Sequence, residues 1–119
     1  MEIVHESEVE KGVRVSKWLI VPKIRTSSKT IELGVATLKP GQVEVLHKHV
    51  KTEEAFYVIS GKPTFQVNDE VKQLREGTAL YVPPNTPHRI ANHSDKECKI
   101  IAVKTPSNPA DKTILPDKP

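Results

Sequence analysis

Apolar residues recur along this chain with a period of two far more often than 3.6, the pattern of strands with one buried face. Val13, Val15 and residues 18–21 predict a first strand that stops at Pro22. Residues 25–29 form a polar connection. Ile31, Leu33, Val35 and Thr37 then alternate with polar or small residues as far as Lys39-Pro40-Gly41, where the Pro-Gly pair is a strong turn signal. Val43, Val45, His47 and His49 fall on one face of the next strand. Residues 55–60 are a compact aromatic and β-branched run ending at Gly61, and on that strand Glu54, Phe56 and Val58 share a face. Residues 63–67 and 71–74 flank Asn68-Asp69-Glu70 as a hairpin. Residues 79–82 make a further strand, residues 83–87 a rigid proline-rich loop, and residues 88–92 and 98–104 the last two strands around a polar turn.

From Thr105 the pattern breaks. Pro106, Pro109, Pro116 and Pro119 surround a single apolar pair, Ile114-Leu115, so this stretch reads as a tail rather than a strand, either loose or docked on the body by that pair. The chain therefore divides into a β-barrel body, residues 1–104, and a proline-rich tail, residues 105–119. Eight to ten short strands in so short a chain mean an all-β sandwich or small barrel with little or no helix. Closing the sheet hides its edges and leaves an interior that alternate side chains fill or line.

Composition narrows the setting. The chain has 119 residues with 36% apolar and 28% charged, which suits one domain with a thin core. Ten prolines work against a helical bundle. No apolar run approaches the length of a membrane span, and the first ten residues carry four glutamates instead of a secretory signal. The single cysteine, Cys98, excludes an internal disulfide and a paired-cysteine zinc site, and it is expected as a buried thiol in a cytoplasmic protein. A net charge of +3 invites nucleic acid as a partner, but the 18 basic and 15 acidic residues are interleaved and form no basic run, so none is expected.

His47, His49, Glu54 and His88 are the candidate chemistry. Residues two apart on a strand share a face with Cα atoms roughly 6.6 Å apart. That lets two imidazoles converge on one ion about 2.1 Å from each nitrogen. Glu54 follows across a turn, where an antiparallel neighbour would return its carboxylate to the histidines. His88 leaves a loop whose prolines fix its aim. Three imidazoles and a carboxylate suit one divalent transition metal, and they leave open positions on an octahedral ion. His5 and His93 are not repeated at ligand spacing and are expected as surface or turn residues.

The stretch Gly41-Gln42-Val43-Glu44-Val45-Leu46-His47-Lys48-His49, with four residues to Glu54 and six more to Gly61, resembles the first cupin motif. Gly77, five residues, Pro83-Pro84-Asn85, two residues, His88, three residues and Asn92 resemble the second. Asn85 stands where the family usually has glycine, and asparagine tolerates the left-handed backbone region. The resemblance implies the double-stranded β-helix, or jelly roll, and ligation of a metal (manganese, iron, nickel, copper, cobalt or zinc) by His47, His49, Glu54 and His88. Glu53 is a competitor for Glu54, and the spacing to Gly61 favours Glu54. Val45, Phe56 and Ile90 share faces with these residues and extend a pocket wall or simply pack the barrel. Trp18 faces either a pocket or a partner subunit, and Tyr57 and Tyr81 pack the sheet or an interface.

The expected activity is metal-dependent chemistry on a small oxygenated organic compound, with dioxygenase or oxidase reactions favoured. The alternatives are a cupin that binds a small ligand or metal without turnover, and a sugar isomerase or epimerase. A phosphosugar enzyme would want clustered Lys or Arg near the metal, whereas alternation turns Lys48 away from the histidines. A homodimer is expected, with the Trp18 strand and Ile114-Leu115 crossing or covering the interface.

Overall fold

The computed structural model describes residues 1–10 and 15–117 and converts the alternating segments into strands. In chain order these are β1 (Ser16–Ile20), β2 (Glu32–Leu38), β3 (His47–Lys48), β4 (Glu53–Ser60), β5 (Thr64–Val67), β6 (Glu70–Gln73), β7 (Ala79–Val82), β8 (His88–Ala91), β9 (Cys98–Thr105) and β10 (Thr113–Ile114). One 3-10 turn, Glu6–Glu8, precedes them. Val13, expected in the first strand, and Pro119 lie outside the described residues. No helix among the described residues is long and apolar enough to cross a membrane.

Two antiparallel sheets result, ordered β1-β2-β9-β4-β7 and β10-β3-β8-β5-β6. Alternation decides what lies between them. On β4, Glu54, Phe56 and Val58 are buried while Glu53, Ala55, Tyr57 and Ile59 are exposed. Phe56, Val58, Ile100, Ala102, Ala36 and Leu38 meet Phe65 and Ile90 from the facing sheet to form one core. Tyr57 and Tyr81 stand on the outer face, about half exposed. Cys98 is the buried free thiol that the sequence predicts.

Turn chemistry sets the ends of the strands. Pro40 and Gly41 sit at the centre of a turn closed by Gln42 N–H donating to Lys39 O at 3.0 Å, and Gly41 has the positive φ of 88° that the third turn position demands. Gly61 has a φ of 83°, and a Cβ there would stand 2.7 Å from Glu97 O. Gly61→Ala is therefore expected to destabilise the fold by about 1–3 kcal/mol. Urea denaturation measures this, and an unchanged midpoint would refute it.

Three expectations are corrected. The strand proposed over 43–49 is regular only at His47–Lys48. Residues 41–44 still run along β8, through Gly41 N–H to Asn92 O at 2.8 Å and Glu44 N–H to Ile90 O at 2.8 Å. The Glu44 carboxylate takes the Ile90 N–H at 3.3 Å, so a side chain replaces a rung of the ladder. The hairpin loop has two residues rather than three, because Val67 pairs with Glu70 and Asn68 takes a φ of 53°. Most consequentially, the tail contains a strand: Thr113 pairs with Lys48 and Ile114 with His47, covering an edge of β3 that would otherwise be open.

Candidate metal centre

The three predicted histidines come together from one sheet. His47 on β3 is the direct cross-strand partner of His88 on β8, although 41 residues separate them in sequence. His49 follows just beyond β3, and one ring nitrogen from each of the three lies within 4.8 Å of the others. All three are almost fully buried. Glu54 arrives differently from the expected route. Its strand, β4, lies in the opposite sheet, so the turn after His49 crosses between layers and the carboxylate reaches over the gap. Glu54 Oε1 lies 3.4 Å from His49 Nε2 and 3.2 Å from His88 Nε2. Glu53 is exposed and points away. His5 and His93 are exposed, as predicted.

The rings are oriented from behind. His47 Nδ1 donates to Val45 O at 2.8 Å, His88 Nδ1 to Thr86 O at 2.9 Å and His49 Nδ1 to Asp111 O at 2.6 Å. A carbonyl can only accept, so each Nδ1 carries a proton, and a ring that is neutral presents an Nε2 lone pair. Two of those Nε2 atoms, of His49 and His88, face one carboxylate oxygen, and His49 Nε2 is buried with no hydrogen-bond partner. Acceptor against acceptor is repulsive at such distances unless a cation lies between. The donor set thus fits a divalent transition metal bound by imidazole and carboxylate.

Electrostatics agree for His47 and Glu54. Burial brings the His47 imidazole down to about 3, so it stays neutral with its lone pair available. Burial works to raise Glu54, but the imidazoles of His49 and His88 beside it outweigh burial and hold the carboxylate at about 2. Burial also opposes protonation of His88, yet the Glu54 carboxylate prevails and raises its pKa. Glu44 is raised, chiefly by burial and then by the charge of Glu54.

These shifts fix the sign of the acid response. His47 and Glu54 sit below their usual 6.5 and 4.5, so the unfolded chain takes those protons first, and stability is lost as pH falls through the two windows. His88, raised, contributes stability that is full below 6.5 and fades only at higher pH. In the presence of a chelator, Tm is expected to decline steadily as pH drops from 6.5 towards 3. A flat thermal-shift profile across that range would contradict the assignment.

Beside the rings lies a cavity of about 380 Å³. Val45, Phe56 and Ile90 line it, together with Trp18, Val43 and Ile114. Trp18 therefore faces this pocket, with Lys104 Nζ 4.4 Å from its ring centroid. Ile114, expected at an interface, borders this cavity and is 58% exposed. Sequence reasoning missed Glu44, Lys104 and Lys112, which share the wall. Lys104 was legible: it continues the inward alternation of Ile100 and Ala102, and it pairs across β4 with Glu54. Lys112 had no such signal, because it lies in the segment read as a tail.

Two facing antiparallel sheets with a His-rich centre between them define a double-stranded β-helix barrel. The family model for the Cupin domain matches residues 34–104, and the chain belongs to the cupin family. An uncharacterized protein of Methanocaldococcus jannaschii, MJ1618, is 30% identical over 98 residues, covering 82% of this chain and 78% of that protein. The chain spans only half the length of two Streptomyces relatives, SchB of S. halstedii, 33% identical over 58% of this chain, and the polyketide synthase CurC of S. cyaneus, 30% identical over 65%. Among solved structures, oxalate decarboxylase from Bacillus subtilis superposes with a TM-score of 0.82 at 21% identity, over 97% of this chain and 32% of that one. The polyketide cyclase RemF from Streptomyces resistomycificus gives 0.75 at 18% identity, over 92% and 82%.

Proposed function

We propose that this cupin holds one divalent transition metal through His47, His49, His88 and Glu54 and acts on a small oxygenated organic compound, with dioxygenase- or oxidase-type oxidation favoured. One observation carries the reading: three rings whose Nδ1 atoms face carbonyls cluster together, and two of them, His49 and His88, turn their Nε2 towards the single buried carboxylate of Glu54. When bound, the ion supplies Lewis-acid polarisation of a substrate oxygen or a site for dioxygen. Imidazole and carboxylate donors suit manganese, iron, nickel, copper, cobalt and zinc alike.

The chain's own residues then bind and orient. The buried Phe56 and Ile90 and the half-exposed Val45 give the cavity an apolar wall. Lys104, braced over Trp18 and 3.6 Å from Glu32, adds an ammonium to the cavity lining, and Lys112 adds a second. Two cations beside the centre suit a substrate with an acidic group or an enolisable carbonyl. Multi-carbonyl substrates of the polyketide kind, suggested by the names CurC and RemF, meet that description. The same two lysines favour a second reading, isomerisation or epimerisation of an acidic or phosphorylated sugar. They remove the objection that Lys48 alone raised.

Metal analysis of the protein as purified, followed by oxygen uptake with a panel of acidic and carbonyl compounds, tests these readings. Metal-dependent oxygen uptake with one compound supports oxidation. Conversion without oxygen uptake replaces it with the isomerase reading, and tight binding without conversion replaces both with a ligand-binding module. No metal above background overturns the metal centre. Pairing of two copies through the outer face around Tyr57, Ile59 and Tyr81 belongs to the same proposal, and a light-scattering mass near 13.3 kDa would exclude it.

A further inference from the structure

We propose that Asp111 is the positioning residue for His49, so that the segment after β9 completes the metal centre from outside the matched family region. The proposal rests on the metal reading above. His47 and His88 each find their Nδ1 acceptor two residues back, at Val45 O and Thr86 O, so their own local chain orients them. His49 has no such local device. It lies one residue past the end of β3, and its Nδ1 donates instead to Asp111 O at 2.6 Å, 62 residues further along the chain.

The Asp111 carboxylate secures the other half of the contact. Val50, Lys51 and Thr52 donate their backbone N–H groups to it at 2.7, 2.8 and 3.1 Å. Those are the three residues that follow His49 and carry the chain over to Glu54 in the other sheet. A carboxylate receiving three N–H donors is a strong, charge-assisted anchor. One residue therefore grips the turn through its side chain and the imidazole through its backbone.

The segment is stitched down on both sides of this point. Thr52 Oγ1 donates to Pro106 O at 2.7 Å before Asp111, and Leu115 N–H donates to Leu46 O at 2.9 Å after it. Partners that hold the outer nitrogen of a ligand histidine fix its tautomer and aim, and their loss typically costs about 10–100-fold in metal affinity. The Asp111 carboxylate is not itself among the groups facing the ion. Its effect passes through His49 and the turn.

The test is Asp111→Ala, with Asp111→Asn as the milder variant in case the first does not fold. In the chelated wild-type protein at neutral pH, nitrogen-15 NMR of the imidazoles is expected to show His49 as a single tautomer protonated at Nδ1. In the variants His49 is expected to exchange between tautomers, and affinity for Co²⁺, measured by chelator competition, is expected to fall about 10–100-fold with an altered ligand-field spectrum. Asp111→Asn keeps an acceptor for part of the turn and is expected to fall between wild type and Asp111→Ala. A folded variant with the wild-type His49 tautomer and wild-type Co²⁺ affinity overturns the proposal. If the wild type itself binds no Co²⁺, the metal reading fails, and the tautomer of His49 still decides whether Asp111 positions it.

Discussion

Replacing His88 by alanine is expected to abolish metal binding. His88 is 2% exposed, faces Glu54 at 3.2 Å and forms the register pair with His47, so its loss opens the centre of the cluster. Metal content measured after dialysis should fall from about one equivalent per chain to background, an affinity loss of at least about 100-fold, since even outer partners of ligands cost 10–100-fold. Metal should also stop raising Tm. A ligand present at about 100 times its Kd stabilises by about 2.7 kcal/mol, and the variant should show none of that gain. Retention of near-stoichiometric metal by a folded His88→Ala would remove this residue from the centre.

Phe56→Ala is expected to have the largest effect on stability. The ring is 5% exposed, packs 5.2 Å from Phe65 across the gap between the sheets and lies 6.3 Å from the ring of His88. Truncating such a buried ring costs about 3–5 kcal/mol, a large share of the roughly 5–15 kcal/mol that holds a domain together. Urea denaturation with chelator present measures this directly. Because Phe56 also lines the cavity, the variant should bind metal more weakly than wild type, and Phe56→Leu should recover most of both losses. A loss below about 1 kcal/mol would show that the ring only decorates the wall.

Much of the architecture could be read from alternation because each strand has one wet and one dry face. Glu54, Phe56 and Val58 were assigned inward by counting in twos, and the burial of β4 follows that count residue by residue. His47 and His88 were readable because their own local chain, a short strand and a proline loop, aims them. What escaped was whatever depends on distant chain returning. Period two cannot show that β4 joins the opposite sheet from β3, so the route of Glu54 was misassigned. Nor can it show a two-residue strand among prolines. β10 exists because it covers the edge of β3, and that requirement is tertiary. Asn85, the visible departure from the motif, takes a φ of 57° and donates its N–H to His49 O at 2.6 Å, so the substitution preserves the turn.

The division of the centre between layers has a mechanical meaning. Three of its members belong with the sheet that contains β3 and β8, and the fourth with the sheet that contains β4. An ion held by all four acts as a rivet through a thin sandwich, because the layers cannot slide or part without stretching its bonds. Amide hydrogen exchange in β4 and in β8 should then slow together when metal is added, even though no backbone hydrogen bond joins those strands.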